Sequence, residues 1–313
     1  MNYRSVFILC GWLYCTVAFG EPPLASTLVS QEANRIGVPA GLIYENLDNP
    51  YLFWVELDAA KLHLLERIDQ GQYIRKSTRP ISIGKKGAGK EVEGDLKTPI
   101  GVYQITSYLK DKDLDDFYGV GAYPVNFPNI WDRMLNRTGH GIWLHGLPKG
   151  VDSRPPLDSE GCVIIDNTSI RNMKSYITTG ESLFVLSPSL TWLPSGENQD
   201  AADILEAIEG WRASWESNDA DAYLANYHSE FTDTKRNLGE WSTYKRRVNQ
   251  SKTFINVDLS NMSVIEYPGE QNLVAVRFFQ DYQSSNYRWK GWKHLLWRRD
   301  AIGTWRILYE GNG

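Results

Sequence analysis

A short break in the hydrophobic pattern divides this sequence into two parts. Residues 188–200 contain two prolines and several other turn-forming residues, and their apolar side chains follow no regular period. This composition is typical of a linker. A chain of 313 residues is long enough for two domains that each bury a core. We therefore predict one domain over residues 50–187 and a second over residues 201–313.

The first part is rich in short β-type runs. Residues 52–57 and 62–66 are largely apolar and lie four residues apart, which predicts a hairpin, and residues 74–83 and 102–105 continue the pattern. Residues 84–94 hold four glycines among charged side chains, so we expect a mobile loop there rather than a packed element. No Gly-Lys-Ser/Thr ending follows these glycines, which argues against a phosphate-binding loop.

The second part begins with helices and ends with strands. Residues 201–216 place apolar side chains at helical spacing, and a second helix is expected from Asp219 to Tyr227. The pattern then predicts four strands, over residues 255–267, 273–282, 289–299 and 304–309. Seven of the 12 tryptophans lie in this part, and most of them should belong to its core. Two helices followed by a curved antiparallel sheet indicate an α+β domain.

The first 20 residues have the pattern of a secretory signal peptide. A single positive charge at Arg4 precedes an uncharged run that ends in Ala18-Phe19-Gly20, a small-x-small cleavage pattern. The run is shorter than the ~20 apolar residues of a membrane-spanning helix, so we favour cleavage over an uncleaved anchor. Residues 21–49 would then form a lead-in segment with a short helix over residues 31–35. The protein is expected to be exported, to the periplasm or cell envelope.

Cleavage changes how the three cysteines are interpreted. Cys10 and Cys15 leave with the signal peptide, and Cys162 remains as the one cysteine of the mature chain. Exported compartments are oxidising, and cysteines there are usually paired or absent. An inert buried thiol is the alternative, but the residues around Cys162 favour a chemical role.

A histidine and this cysteine form the one constellation that points to chemistry. Residues 142–144 predict a buried strand that presents His145 at its end, 17 residues before Cys162. A neighbouring imidazole can activate a thiol as a nucleophile, and backbone N–H groups near Gly161 and Ser159 could stabilise an oxyanion. No Asp or Asn stands at an obvious position to orient His145, so the backbone carbonyl of Gly146 is the nearest candidate for that role.

No cofactor, metal or nucleic acid is indicated. His140, His145 and Cys162 could form a zinc site, but a fourth ligand is missing, and their odd spacing on a strand directs the two imidazoles to opposite faces. The net charge is −5, so the chain has no positive excess for a nucleic acid.

The stretch around Cys162 resembles the catalytic domain of the L,D-transpeptidases. The family signature is a His-Gly at a strand end followed by Ser/Thr-x-Gly-Cys, which His145-Gly146 and Ser159-Glu160-Gly161-Cys162 match. An upstream Thr98-Pro99-Ile100-Gly101 is similar to a second family motif. The resemblance covers about residues 50–187 and implies a mostly β catalytic sandwich, so that the whole chain would be mixed α/β.

Some residues depart from the common pattern of that family. Glu160 and Ile164 stand where most members have His and Arg, and residues 127–132 with the Arg154 loop are more similar to the L,D-carboxypeptidases that set cell shape in helical bacteria. That branch also carries a C-terminal domain similar to nuclear transport factor two (NTF2), which fits residues 201–313. We interpret four residues as substrate-binding: Asn129, Asp132, Arg154 and Glu160.

The resemblance implies a cysteine enzyme acting on peptidoglycan stem peptides. Cys162 would attack the carbonyl before the terminal D-alanine, with His145 as base and then acid, and form a thioester. Transfer to an amine would cross-link stems, whereas transfer to water would trim them. A non-catalytic wall-binding scaffold and an amidase that releases wall-anchored lipoprotein stay open as alternatives.

Two tryptophans of the second part suggest a contact with glycan. Trp289 and Trp292 are flanked by Tyr287, Arg288, Lys290 and Lys293, and aromatic and basic side chains together can stack on sugar rings or bind anionic glycan. The oligomeric state is not disclosed by the sequence.

Overall fold

A computed structural model describes residues 36–69, 71–194 and 199–313 of the chain. The predicted signal peptide and the predicted helix over residues 31–35 lie outside the described residues. The described part is mostly β with a few short helices, and it forms two sheet-based units. The predicted mixed α/β class is confirmed.

Within the described residues 36–69 and 71–194, the chain forms fourteen strands and two α-helices. The strands are β1 Ile36–Pro39, β2 Leu42–Glu45, β3 Tyr51–Glu56, β4 Lys61–Asp69, β5 Gln72–Pro80, β6 Ile83–Gly84, β7 Gly101–Gln104, β8 Leu109–Lys110, β9 Gly121–Pro124, β10 Trp143–Gly146, β11 Leu157–Ser159, β12 Val163–Ile165, β13 Leu183–Ser187 and β14 Trp192–Leu193. The helices are α1 Ile130–Met134 and α2 Asn167–Met173.

Three sheets build this first unit. A seven-stranded sheet has the order β14-β1-β5-β4-β3-β13-β7, a four-stranded sheet has the order β12-β10-β9-β8, and β11 pairs with β6. The predicted hairpin is present as β3 and β4, with Phe53 opposite Leu64. The core between the two larger sheets includes Phe53, Leu144 and Phe184, all fully buried. In the four-stranded sheet, β10 lies beside the edge strand β12.

The second unit packs three helices against a curved sheet. Its helices are α3 Gln199–Glu216, α4 Ala220–Leu224 and α5 Leu238–Gln250. Its strands are β15 Tyr227–Thr232, β16 Ile255–Glu266, β17 Leu273–Ser284, β18 Tyr287–Arg299 and β19 Trp305–Asn312. Five of its seven tryptophans are buried: Trp211, Trp215, Trp241, Trp297 and Trp305. The prediction that most of them are core is confirmed.

The prediction of two helices in this unit was incomplete. The third helix, α5, begins with a capping box in which Asn237 and Glu240 exchange side-chain and backbone hydrogen bonds. This Asn-x-x-Glu pattern is visible in the sequence and could have predicted the start of the third helix. The second predicted helix is also shorter than expected, because the chain turns into β15 at Tyr227.

The predicted lead-in segment and the predicted linker both contribute strands to the sheets. Strand β1 pairs with β5 and with β14, which falls inside the predicted linker, while β2 pairs with β16 of the second unit. A mixed apolar cluster joins the units, with Leu42, Trp54, Trp192 and Ile265 packed together. The β1–β14 and β2–β16 pairings each cross more than 150 residues of sequence, so local pattern could not indicate them.

The glycine-rich segment 84–94 differs from the mobile loop that was predicted. The Asp95 carboxylate accepts hydrogen bonds from the backbone N–H groups of Glu91, Val92 and Lys97 and from the Lys90 ammonium, at 2.7–3.1 Å. Backbone hydrogen bonds close the loop, and Lys90 is only 4% exposed. Local side-chain acceptors satisfy the backbone donors, and the loop packs as an ordered element.

Candidate active site

Two paired strands bring His145 and Cys162 to the same face of the four-stranded sheet. Strands β10 and β12 run parallel, with Leu144 opposite Val163 and His145 opposite Ile164. Cys162 directly precedes β12 and therefore lies two positions from the partner of His145. Side chains two positions apart point to the same side of a sheet, and strand spacing puts the two Cα atoms about 8 Å apart. The loop between the strands accounts for the 17-residue spacing in sequence.

His145 is held in one tautomer. Its Nδ1 lies 2.8 Å from the Gly146 carbonyl oxygen, and since a carbonyl can only accept, Nδ1 carries the proton. The Nε2 atom is then an acceptor, and it is buried without a hydrogen-bond partner. Burial lowers the pKa of His145 to about 4, the hydrogen bond to Gly146 opposes this shift, and the Arg154 charge adds to it. Nε2 is therefore unprotonated at neutral pH and is available as a proton acceptor.

The Cys162 thiol is neutral in the resting site. Its Sγ donates to the Gly141 carbonyl at 3.3 Å. Burial raises the pKa of Cys162 to about 11, a backbone hydrogen bond from Trp143 opposes this shift, the Glu160 carboxylate adds to it and Lys90 opposes it. At neutral pH the pair therefore consists of a neutral thiol and a neutral imidazole.

Two hydroxyl groups shape the backbone around the cysteine. Ser159 Oγ donates to the Cys162 carbonyl at 2.6 Å and accepts from the Gly161 N–H at 3.0 Å. Thr98 Oγ1 donates to the Gly161 carbonyl at 2.9 Å and accepts from the Gly84 N–H at 2.9 Å. The Gly161 N–H is therefore directed at Ser159, and Ser159 acts as a support for the loop.

Two glycines of the site are required by their surroundings. Gly161 has a φ of +132°, and a Cβ there would lie 2.8 Å from the Lys97 carbonyl oxygen. Next to His145, a Cβ on Gly146 would lie 2.1 Å from Asn167 Oδ1. The His-Gly and Gly-Cys pairs of the sequence therefore reflect close packing as well as chemistry.

Aromatic side chains and Arg154 form one wall beside His145. The rings of Tyr118 and Phe117 have centroids 5.2 Å and 6.0 Å from that of His145. The Arg154 guanidinium lies 5.8 Å from the Phe117 ring centroid, and Asp158 holds it through its side chain at 2.9 Å and its carbonyl at 2.6 Å. Glu160 is exposed next to Cys162.

Asn129 and Asp132 have a different place from the one predicted. They form the capping box of α1, Asp132 is fully buried, and Asn129 donates to the Tyr267 hydroxyl of the second unit at 2.7 Å. These contacts make them part of the domain interface, which does not fit the predicted contact with substrate. Both lie on the helix-capping pattern Asn-x-x-Asp, whose structural meaning was overlooked in the sequence.

Other residues near the site carried no sequence signal. Tyr118 is the last residue of a short 3-10 helix, and the buried Lys90 comes from the glycine-rich loop. Asn167 donates to the Leu147 carbonyl at 2.9 Å and accepts from the Val120 N–H at 3.1 Å. Each reaches the site through pairings distant in sequence.

The geometry contains no metal centre. Among the described residues, no three His, Cys, Asp or Glu side chains converge as metal ligands. The His140 side chain is 84% exposed beside Glu93, whereas His145 is buried. The two imidazoles thus lie in different environments.

Replacing Thr98 by valine should destabilise the protein. The change leaves the buried Gly84 N–H and Gly161 carbonyl without their partner, at about 1–3 kcal/mol each. We expect the free energy of unfolding in urea to fall by about 2–5 kcal/mol. Thr98→Ser keeps the hydroxyl and should stay within about 1 kcal/mol of the native protein. A Thr98→Val protein as stable as the native one would refute this role.

Family models match both units of the chain. Residues 50–185 match YkuD, the L,D-transpeptidase catalytic domain, and residues 203–311 match the Cds6 C-terminal NTF2-like domain. The first unit therefore belongs to the L,D-transpeptidase catalytic domain family, and the second is an NTF2-like domain. Below they are called the catalytic domain and the accessory domain.

Two solved structures are similar over almost the whole chain. Bd1075 of Bdellovibrio bacteriovorus has 26% sequence identity and a TM-score of 0.73, covering 88% of this chain and 97% of its own. The helical cell shape determining protein Pgp2 of Campylobacter jejuni has 24% identity and a TM-score of 0.71, covering 91% and 98%. The two-domain fold is thus shared with both. None of the curated proteins matches the sequence.

Proposed function

We propose that this protein is a cysteine-dependent L,D-peptidase that cleaves the bond before the terminal D-alanine of peptidoglycan tetrapeptide stems. The observation that carries the proposal is the His145 tautomer, with an unpartnered Nε2 on the same sheet face as Cys162. The match of residues 50–185 to the L,D-transpeptidase catalytic domain supports the same chemistry.

The proposed reaction proceeds through a thioester. Cys162 Sγ attacks the carbonyl carbon and its proton passes to His145 Nε2. Collapse of the tetrahedral intermediate breaks the C–N bond, and the imidazolium returns the proton to the leaving amine of D-alanine. The Gly146 carbonyl accepts from Nδ1 throughout, which favours the imidazolium as it forms.

Water is the acceptor that we propose for the thioester. Ile164 stands where most family members have Arg, and it is 2% exposed with its backbone paired to Ser82. This position offers no cation to the carboxylate of an acceptor stem, so hydrolysis is favoured over cross-linking. His145 would deprotonate the water, and the products are a tripeptide stem and the free thiol.

Arg154 and Glu160 are proposed to contact the stem peptide. Arg154 already has two of its donors fixed by Asp158, and its charge lies close enough to His145 to lower that pKa. A fixed guanidinium suits a substrate carboxylate. Glu160 is exposed beside the nucleophile and suits an ammonium group of the stem.

The test is to incubate the protein with purified disaccharide-tetrapeptide, with and without an acceptor stem, and to read the products by mass. Loss of one alanine supports the proposed carboxypeptidase, and a cross-linked dimer would make it a transpeptidase. Release of a lipoprotein anchored to the wall would indicate the amidase. Retained binding without any product would point to a scaffold.

Export is proposed on the signal-like first 20 residues and on the location of the substrate. No helix within the described ranges is both long and apolar enough to cross a membrane.

A second proposal concerns a pocket between helix α5 and the curved sheet of the accessory domain, here called the cone pocket. We suggest that this pocket binds the glycan or peptide of peptidoglycan. The cavity has a volume of about 270 Å³ and is lined by Lys245, Trp241, Trp289, Lys293 and Glu310, among others. The Lys245 ammonium lies 4.4–5.0 Å from the centroids of three aromatic rings, and burial lowers its pKa to about 8. Aromatic faces with buried cations suit an anionic sugar.

The two tryptophans predicted to share a glycan site lie apart. Trp289 lines the cone pocket, whereas Trp292 stacks on Arg277 at 3.4 Å and packs in the apolar cluster between the domains. Their spacing of three residues on β18 places them on opposite faces of the sheet. The proposed ligand contact therefore keeps Trp289 and leaves Trp292 out.

Lys245→Gln should weaken binding to purified sacculi about tenfold or more, because a charged hydrogen bond or ion pair is worth about 1.5–3 kcal/mol. The matched control is Lys290→Gln, since Lys290 lies on the neighbouring β18 but is exposed and paired with Asp281. Co-sedimentation measures both variants. Equal binding by Lys245→Gln and the native protein would exclude the cone pocket.

A further inference from the structure

A turn of the accessory domain contacts the catalytic domain at helix α1. Asn129 Nδ2 donates to the Tyr267 hydroxyl at 2.7 Å and to the Val102 carbonyl at 3.0 Å. Trp131 Nε1 donates to Glu270 at 2.9 Å. Tyr267 is 3% exposed and Asn129 is 6% exposed. The start of α1 is therefore fixed by a side chain that belongs to the other domain.

Asp132 continues these contacts into the catalytic domain. Its fully buried carboxylate accepts from the Asn129 N–H and the Tyr103 hydroxyl at 3.0 Å each, and from Arg137 Nη1 at 2.9 Å. The Arg137 N–H also donates to the Asp132 carbonyl at 2.8 Å. Arg137 is thus held by both its side chain and its backbone. A buried carboxylate with this many donors allows little movement. If it lost a donor, water could not replace the missing hydrogen bond, and the buried charge would be destabilised.

The loop that starts at Arg137 contains the backbone carbonyl that contacts the Cys162 thiol. The Thr138 N–H donates to the Glu91 carbonyl at 2.9 Å, and Thr138 Oγ1 accepts from the Glu93 N–H at 3.1 Å. Gly139 and Gly141 follow with positive φ. The Gly141 carbonyl then accepts the Cys162 thiol at 3.3 Å. Glycines give this loop wide backbone freedom, so the position of that carbonyl depends on the anchor at Arg137 and Thr138.

We propose that Tyr267, Asn129, Asp132 and Arg137, here called the interface network, position the Gly141 carbonyl and through it the Cys162 thiol. The accessory domain is then part of the catalytic machinery by way of positioning residues. The inference rests on the proposed function in one respect, the role of Cys162 as nucleophile. Without the network the carbonyl shifts, the thiol adopts other rotamers, and fewer enzyme molecules hold the sulfur where it can attack.

The test compares Tyr267→Phe and Asp132→Asn with the native full chain in two measurements. One is turnover of disaccharide-tetrapeptide, and the other is the rate of iodoacetamide alkylation, read by mass on the Cys162 peptide. We expect kcat to fall about tenfold or more with KM within about twofold, since misplacement of a reacting group acts on the chemical step. Alkylation at pH 7 should become at least about threefold faster, because losing the carbonyl acceptor removes a hydrogen bond that favours the neutral thiol.

Glu270→Gln is the matched control. It alters the same turn of the accessory domain at the bond to Trp131, outside the interface network, and both rates should equal those of the native protein. Thermal melting of each variant checks folding, and if Asp132→Asn does not fold, Tyr267→Phe decides. Native rates in a folded Tyr267→Phe protein would overturn the inference, as would a lower kcat with unchanged alkylation. Failure of the proposed function is distinct, because the native protein would then lack turnover while its thiol still reports on the network.

Discussion

Cys162→Ala is expected to lower kcat on disaccharide-tetrapeptide by at least about three orders of magnitude. Cys162 directly precedes β12, and its thiol is the nucleophile that we propose for the covalent intermediate. Removing it leaves only binding and backbone hydrogen bonds, which by themselves give a small residual rate. The measurement is product mass over time, together with a search for an acyl adduct on the native Cys162 peptide.

The variant must keep its fold for that loss to be informative. Alanine removes only the sulfur from a half-buried position, so the melting temperature should change little, by about 5 °C at most. Binding of the stem peptide should persist within about threefold, because the nucleophile contributes chiefly to the transition state. More than a tenth of native turnover in a folded Cys162→Ala protein would exclude thioester catalysis.

His145→Gln is expected to lower kcat about 10²–10⁴-fold, because general base and general acid assistance are both lost. His140→Gln is the control: it lies five residues earlier, is strongly exposed, and should leave kcat unchanged. Stopped assays of product formation at saturating substrate measure both variants. Similar losses in the two proteins, or none in His145→Gln, would remove His145 from the mechanism.

The pH dependence of kcat/KM gives an independent check on His145. Nε2 acts as a base only when it is unprotonated, and burial lowers the pKa of His145 to about 4. The rate should therefore stay high as the pH falls through 6.5, the ordinary histidine value, and decline only below about pH 5. An acid limb centred near pH 6.5 would mean that the imidazole is solvated in the working enzyme.

The Cys162–His145 pair could be proposed from sequence because the elements that carry it are local. Residues 142–144 read as a buried strand, His145 stands at its end, and Cys162 lies between glycines directly before a run of three apolar residues. The order of helices and strands after residue 201 is largely carried by local periodicity. Two elements were not predicted: β15, and α5, whose capping box was present but overlooked.

The role of Asn129 and Asp132 could not be predicted from the local sequence. A polar pair near a motif has the same appearance in sequence whether it contacts a substrate or caps a helix. The deciding contact is Tyr267, 138 residues away from Asn129. The prediction for the glycine-rich segment 84–94 was wrong for a different, local reason: its order depends on the neighbouring Asp95 accepting four hydrogen bonds at once.

The sequence by itself predicted two domains, the order of most strands and the Cys162–His145 pair, because each of these predictions depends on side chains within one element or one short loop. Only the tertiary structure decided the His145 tautomer, the acceptor of the thiol and the interface network. These depend on backbone groups from distant segments that meet at hydrogen-bond distance. Burial then fixes their protonation, and burial is a property of the packed chain as a whole.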